Sequence, residues 1–219
     1  MTPTAIALLG GTFDPVHLGH LGLADDTRRA FPAAEVRLVP AADPPHRPPP
    51  GASAQHRLAM LRLAVDGRQG LSIDEREMRR GGKSYTALTL DELRAESPSR
   101  PLILVLGADA FRGLPTWHRW TEILGLANLA VAARPGDPFE AALPHGLVPV
   151  WHARRTSKAS DLILGPAGRI YRLPTVAHDI SASAIRAALA RGGDDAASVR
   201  ALVPPAVWDY IASHRLYAN

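Results

Sequence analysis

The chain has 219 residues, 46% of them hydrophobic, with a formal net charge of +4 and no cysteine. That length and apolar share predict a folded core rather than a disordered chain. The missing cysteine excludes disulfides, thiolate catalysis and cysteine-bound metal, and it suits a reducing compartment.

Of the 25 cationic side chains, 23 are arginine and only Lys83 and Lys158 are lysine. Arginine is the better bidentate phosphate ligand, so this basicity fits nucleic acid or a small polyanion such as a nucleotide. No RNA- or DNA-binding motif accompanies it, and no nucleic-acid partner is expected. The first residues, MTPTAIALLGG, form no basic leader. No run approaches the roughly 18 apolar residues of a spanning helix. A soluble, cytoplasmic protein with no membrane partner is expected.

In chain order, TAIALL reads as a strand ending at Gly10, and GGTFDPVHLGH follows from Gly10 to His20. A helix then carries apolar residues at Leu18, Leu21 and Phe31. EVRLVP is a second strand. Pro40 to Ser53 holds six prolines, one histidine and one arginine. Most such loops are stiff surface linkers, but this one leaves a strand at the edge where α/β folds place ligands. AQHRLAMLRLAV is an amphipathic helix with Leu58, Leu61 and Val65 on its apolar face. LSID is a short strand. YTALTLDELRAE is a helix with Ser84 as its expected cap.

PLILVLG, NLAVAAR and GRIYRLP read as further strands. The uninterrupted run LILVL fits a strand covered on both faces. Residues 139–161 show no periodicity, and His145, His152, Arg154 and Arg155 read as a basic, mobile surface segment. The end of the chain is helical: ASAIRAALAR, stopped by Gly192 and Gly193, then PPAVWDYIASHRLY. Strands alternating with helices predict an α/β fold with a mainly parallel sheet.

The stretch from Gly10 to His20 carries the first chemistry. Glycines after a strand let backbone approach a ligand closely, and the following helix offers free N–H groups and a positive dipole end to a phosphate. Neither G-x-G-x-x-G nor G-K-[ST] is present, so this is neither a dinucleotide fingerprint nor a P-loop. His17 and His20, three apart, are expected on one face of the first helical turn, aimed at one phosphate. Imidazole can donate to a phosphate oxygen and become cationic as charge builds up. The alternatives are simple capping and metal binding, but two histidines with no third ligand nearby make an incomplete metal site.

GGTFDPVHLGH resembles the T/HxGH nucleotidyltransferase signature of the α/β phosphodiesterase superfamily. Its Phe-Asp-Pro-Val-His form is similar to that of the nicotinate mononucleotide adenylyltransferases. The resemblance implies a Rossmann-like, doubly wound, mainly parallel sheet with helices on both faces. It also implies a single domain over 1–219 with a helical C-terminal part from about residue 180. It puts His17 and His20 on the triphosphate as catalytic groups, Gly10, Gly11, Thr12 and Phe13 beside ATP, and Asp14 beside the mononucleotide.

Further matches extend this likeness. Pro44-Pro45-His46-Arg47 resembles the family's proline-rich loop, which implies His46 and Arg47 near the mononucleotide and phosphates. SYTALTL resembles the segment lining the nicotinate pocket, with Tyr85 and Thr86. Gly107 and Asp109 match a Gly-x-Asp that meets the nucleotide, and Arg134 matches an arginine reaching it. Trp117 matches a tryptophan that stacks on the pyridine ring, leaving Trp120 as the better core residue. DISASAIR resembles the second superfamily signature, Ile-Ser-x-Thr-x-Ile-Arg, which implies phosphate contacts from Ile180, Ser181, Ser183 and catalytic Arg186. Ser183 stands where threonine is usual, and either serine can cap the helix.

The resemblance implies transfer of AMP from ATP to nicotinate mononucleotide, giving nicotinate adenine dinucleotide and pyrophosphate. Mg²⁺ is expected on the substrate phosphates rather than in a protein metal site. The partners are the two small substrates, with a monomer or homodimer equally open. A transferase for nicotinamide mononucleotide, phosphopantetheine or a polyol phosphate is the nearest rival, and the PPHR, YTALTL and PTW segments favour nicotinate. A non-catalytic nucleotide sensor is the rival from another class, and intact His17, His20 and Arg186 oppose it.

Overall fold

The computed structural model describes residues 4–45, 48–133, 136–175 and 180–218. β1 (Ala5–Gly11) leads through α1 (Leu18–Ala30) to β2 (Ala34–Pro40), and α2 (Ala54–Val65) leads to β3 (Leu71–Ile73). α3 (Arg76–Arg80) and α4 (Thr86–Glu96) carry the chain to β4 (Leu102–Gly107). α5 (Ala108–Arg112), a 3₁₀ turn at Leu114–Thr116 and α6 (Trp120–Leu126) precede β5 (Asn128–Ala133). Then come α7 (Val148–Arg154), β6 (Arg155–Thr156), α8 (Asp161–Leu164) and β7 (Ile170–Pro174). α9 (Ala182–Arg191), α10 (Gly193–Ser198), a 3₁₀ turn at Arg200–Leu202 and α11 (Pro205–Ser213) end the fold.

The strands form one sheet in the order β3-β2-β1-β4-β5-β7-β6, and every pairing between them is parallel. Parallel neighbours need long crossovers, which the intervening helices supply. The continuous apolar runs explain why the sheet is covered on both faces. Ile6, Leu8, Leu102, Leu104 and Leu106 enter one core with Leu90, Phe111 and Trp151. Their alternates Ala5, Ala7, Leu9, Ile103 and Val105 enter another with Ala24, Phe31 and Leu162. A third core joins Phe13, Val16, Met60 and Leu61 to Ile185, Val207 and Ile211. The C-terminal helices therefore share their core with α2 and the loop after β1.

The topology also fixes where a ligand can sit. From β1 the chain runs outward through β2 to β3, then returns past β1 to enter β4 on its other side. The carboxyl ends of β1 and β4 thus part in opposite directions, the crevice in which open α/β sheets take ligands. Leu9 pairs with Val105, so Gly10 and Gly11 end next to Gly107.

Two expectations need correction, and one short strand went unread. Ser84 does not cap α4: Tyr85 is the N-cap, and the Ser84 hydroxyl accepts from the Ala42 N–H at 2.9 Å. β6, only two residues long, carries no alternation to read. Residues 139–161 are not a loose surface segment, because Phe139, Leu147 and Trp151 are buried in the first core. The Phe139 ring lies 5.7 Å from Phe111 and 5.0 Å from Trp151. The exposed His145, His152, Arg154 and Arg155 surround these anchors. Anchors spaced four to eight residues apart, two of them in turns, give no helical or strand period.

Candidate active site

Two of the three expected glycines at the strand ends face open space. A Cβ added to Gly10 or Gly107 would meet no atom within 4 Å, and both residues are exposed. Gly11 is glycine for another reason: a Cβ there would stand 3.0 Å from the Phe13 ring. Asp109, just past β4, has a carboxylate that is 95% exposed and pairs with Arg112 at 2.9 Å.

His17 and His20 are brought together, but not as two residues of one helical turn. His17 is the N-cap of α1, in extended backbone with φ −142° and ψ 170°, and His20 is the third residue of the helix. Their rings stack at 3.7 Å between centroids, 26° from parallel. The His17 backbone N–H donates to His20 Nδ1 at 3.3 Å, so Nε2 carries the proton of the neutral His20 ring. The Phe13 ring supports His20 edge-on at 5.0 Å. His17 is 5% exposed, and its Nδ1 is buried with no hydrogen-bond partner among the described residues. Burial pushes the His17 pKa down to about 4, so its ring is neutral at neutral pH.

The side chains of Phe13 and Asp14, expected beside the substrates, turn inward. Phe13 is 1% exposed, in the third core, with φ 50°. That left-handed conformation is uncommon outside glycine and swings the ring under Gly11. Asp14 is 3% exposed, and its carboxylate accepts from the Gly51 N–H at 2.7 Å, the Ala52 N–H at 3.1 Å and the Tyr217 hydroxyl at 2.7 Å. A carboxylate held by three neutral donors inside the protein is a structural node rather than an open ligand.

The second signature reaches the same place. Ser181 caps α9, its hydroxyl accepting from the Ala184 N–H at 3.5 Å. A Cβ on Gly19 would stand 3.5 Å from Ile180 Cβ, so the start of α1 touches the entry to α9. Two positive helix ends therefore meet beside His17. From α9, Arg186 Nη1 donates to the Asp14 carbonyl at 2.7 Å and lies 3.5 Å from Asp14 Oδ2, while Nη2 reaches the Ser183 hydroxyl at 3.4 Å. About a third of the Arg186 side chain remains exposed (32%). Thr12 is half-buried next to this cluster in the chain.

Sequence reasoning missed Arg57, which passes there for a polar residue of an amphipathic helix. It is buried, and its guanidinium donates to the carbonyls of Thr12 (2.7 Å), Ala41 (2.7 Å) and Ala42 (3.0 Å). One side chain thereby ties the first signature to the start of the proline-rich loop. Burial pushes its pKa down.

On the other side of the crevice, the proline-rich loop is zipped to the approach to α4. Lys83 pairs with Asp43 at 2.8 Å, and the Ser84 N–H donates to the Asp43 carbonyl at 2.9 Å. This brings Asp43 beside Lys83 and Ser84, which lead into Tyr85 and Thr86. The Tyr85 ring lies 4.4 Å from His118. Arg119, bonded to Asp91 at 2.6 Å and paired with Glu122, fastens α6 to α4. Trp117 and Trp120 are both half-buried against the first core, so the expected division between a ligand-facing and a core tryptophan is not seen. His46, Arg47 and Arg134 lie outside the described residues. Among the described residues no group of three or more His, Cys, Asp or Glu side chains is placed to hold a metal ion.

Comparison with known proteins gives this geometry its family. The cytidylyltransferase-like profile matches residues 8–188. The chain is 49% identical over 216 residues to the protein named "Probable nicotinate-nucleotide adenylyltransferase" of Stenotrophomonas maltophilia, covering 96% of this chain and 95% of that protein. It is 50% identical over 217 residues to the protein of the same name from Laribacter hongkongensis, covering 98% and 95%. The fold matches the Plasmodium falciparum nicotinic acid mononucleotide adenylyltransferase solved with NaAD, at a TM-score of 0.71 and 15% identity over 98% of this chain and 97% of that one. Among the described residues no helix is long and apolar enough to cross a membrane. The chain belongs to the cytidylyltransferase-like family and, within it, to the nicotinate-nucleotide adenylyltransferases.

Proposed function

We infer that the chain is an adenylyltransferase that moves AMP from ATP to nicotinate mononucleotide, releasing pyrophosphate and making nicotinate adenine dinucleotide for NAD biosynthesis. One observation carries the placement of this chemistry. The His17–His20 pair, the starts of α1 and α9 and the part-exposed Arg186 converge at the open ends of β1 and β4.

The acceptor brings its own nucleophile. A 5′-phosphate oxygen attacks the α-phosphorus in line as the bond to the β-phosphate oxygen breaks, so no general base is needed. The barrier is mainly charge repulsion and orientation. His20 offers its Nε2–H to the triphosphate, and Arg186 offers its exposed face. His17, neutral before ATP binds, has an unpartnered Nδ1 and takes up a proton as phosphate charge arrives beside it. Gly10 and Gly107 leave room for nucleotide directly over backbone. Asp109 stands at the nucleotide end.

Mg²⁺ is the metal ion we propose, held mainly by the substrate phosphates rather than by protein side chains. When bound, it would supply charge neutralisation at the departing pyrophosphate. Trp117 takes the pyridine ring, and the start of α4 at Tyr85 and Thr86 offers donors to the nicotinate carboxylate. The third core, shared by the C-terminal helices and the first signature, supports one catalytic domain. Both substrates are too highly charged to cross a membrane unaided, which puts the enzyme in the cytoplasm.

The test is pyrophosphate release from ATP and Mg²⁺ with separate acceptors. Strong release with nicotinate mononucleotide, and far less with nicotinamide mononucleotide or phosphopantetheine, is expected. Release driven best by another acceptor would keep the mechanism and overturn the substrate. No release with any acceptor, from folded protein that binds ATP, would favour a nucleotide sensor.

A further inference from the structure

We propose that Tyr217, in the segment after α11, is a positioning residue for the phosphate site: it holds Asp14 and thereby sets where Arg186 points. The proposal rests on the reading that Arg186 meets the ATP phosphates.

The contact spans 203 positions of sequence, with the Tyr217 hydroxyl donating to Asp14 Oδ1 at 2.7 Å. Its effect lies in what it leaves for Arg186. Three neutral donors, from Gly51, Ala52 and Tyr217, occupy the Asp14 carboxylate. Arg186 is left with the Asp14 backbone carbonyl at 2.7 Å and a looser approach of 3.5 Å to Oδ2. About a third of the Arg186 side chain stays exposed, and we infer that this is where the anion meets it. Without the phenol, Oδ1 keeps only the longer bond from Ala52, and the carboxylate becomes the stronger attractor. Arg186 would then close onto it and turn away from the crevice.

A second observation comes from Gly51. A Cβ there would meet Arg186 Cδ at 3.1 Å and the Tyr217 ring at 3.2 Å. The two side chains are packed against the same bare Cα, so displacing either leaves a gap beside the other. The tail is set for this contact. Leu216 packs in the third core, its N–H bonded to the Ile211 carbonyl at 3.0 Å. Arg215 and Tyr217 hold left-handed φ values of 50° and 65°, which unrestrained residues of these types seldom adopt. Burial and the bond to Asp14 push the phenol up, keeping it a donor.

The experiment is a double-mutant cycle between Tyr217→Phe and Arg186→Ala, read in kcat, in both KM values and in the affinity for a non-hydrolysable ATP analogue. Tyr217→Phe is expected to weaken ATP about 3–10-fold, the loss of one hydrogen bond, with the mononucleotide KM within about twofold. In the Arg186→Ala background it should change ATP affinity no further. A merely structural tyrosine would move both substrates together and add its loss to that of Arg186→Ala, and this result overturns the proposal. Unchanged ATP affinity in Tyr217→Phe overturns it as well. Should Tyr217→Phe fail to fold, Gly51→Ala wedges the same packing from the other side. Normal ATP affinity in that variant counts against the proposal. Wild-type protein that binds no ATP analogue would sink the functional reading and this proposal together.

Discussion

The two halves of the crevice are built differently. On the phosphate side, His17, Asp14 and Arg57 are buried, and hydrogen bonds of Asp14 and Arg57 reach from residue 12 to residue 217. On the acceptor side, Tyr85, His118 and Trp117 are half-buried or exposed, and the exposed pair of Lys83 with Asp43 joins the approach to α4 to the proline-rich loop, whose ends are themselves bonded to Arg57 and Asp14. The difference follows from the tasks. Charge neutralisation gains most from groups fixed in advance in a dry site, whereas capturing a ring needs a platform more than a rigid network.

The largest effect should come from the rigid side. His20→Ala is expected to lower kcat by about 10²–10³, as removal of a preorganised donor to developing charge does. Near-normal turnover would break the comparison at once.

The next test probes the cost of that rigidity. A buried His17 with a pKa of about 4 binds its proton later than the unfolded chain does, at about 6.5. Between those values the unfolded state holds more protons, so stability falls as pH drops from 6.5 towards 4. The His17 contribution is on the order of 3 kcal/mol. Denaturant unfolding of wild type and His17→Asn from pH 7.5 to 4 should show the gap between their pH dependences shrink by that order. Parallel curves would mean that His17 is not held neutral.

On the acceptor side, Trp117→Ala should weaken nicotinate mononucleotide by roughly 1–3 kcal/mol of stacking, with ATP affinity kept. Equal losses for both substrates would erase the distinction between the halves. The smallest effect should be that of Ser84→Ala, which removes the acceptor of the Ala42 N–H. About 1 kcal/mol of stability and a few-fold rise in mononucleotide KM are expected, with kcat unchanged. A large fall in kcat would show the acceptor side to be as tightly coupled to the chemistry as the phosphate side.

The sequence made local features legible. The parallel sheet followed from uninterrupted apolar runs, and the strand–turn–helix step between β1 and α1 from glycines between a strand and a helix start. Long-range roles stayed hidden. Arg57 bonds a carbonyl 45 positions away and Tyr217 a carboxylate 203 positions away, and neither shows a signal in its own neighbourhood. The motif also misled at two of its own members. It named the residue types at Phe13 and Asp14 but not which way their side chains point, and one fills the core while the other ties three chain segments together. Residues 139–161 were opaque because two of their anchors, Phe139 and Leu147, lie in turns outside any helix or strand, and only Trp151 sits in the short α7.

The most direct test of the account is a crystal structure with a non-hydrolysable ATP analogue and nicotinate mononucleotide. The account predicts the triphosphate between His17, His20, the start of α9 and Arg186, with the pyridine ring on Trp117 and the acceptor phosphate in line with the α-phosphorus. A triphosphate seated away from both histidines, or a pyridine ring on the phosphate side of the crevice, would contradict it.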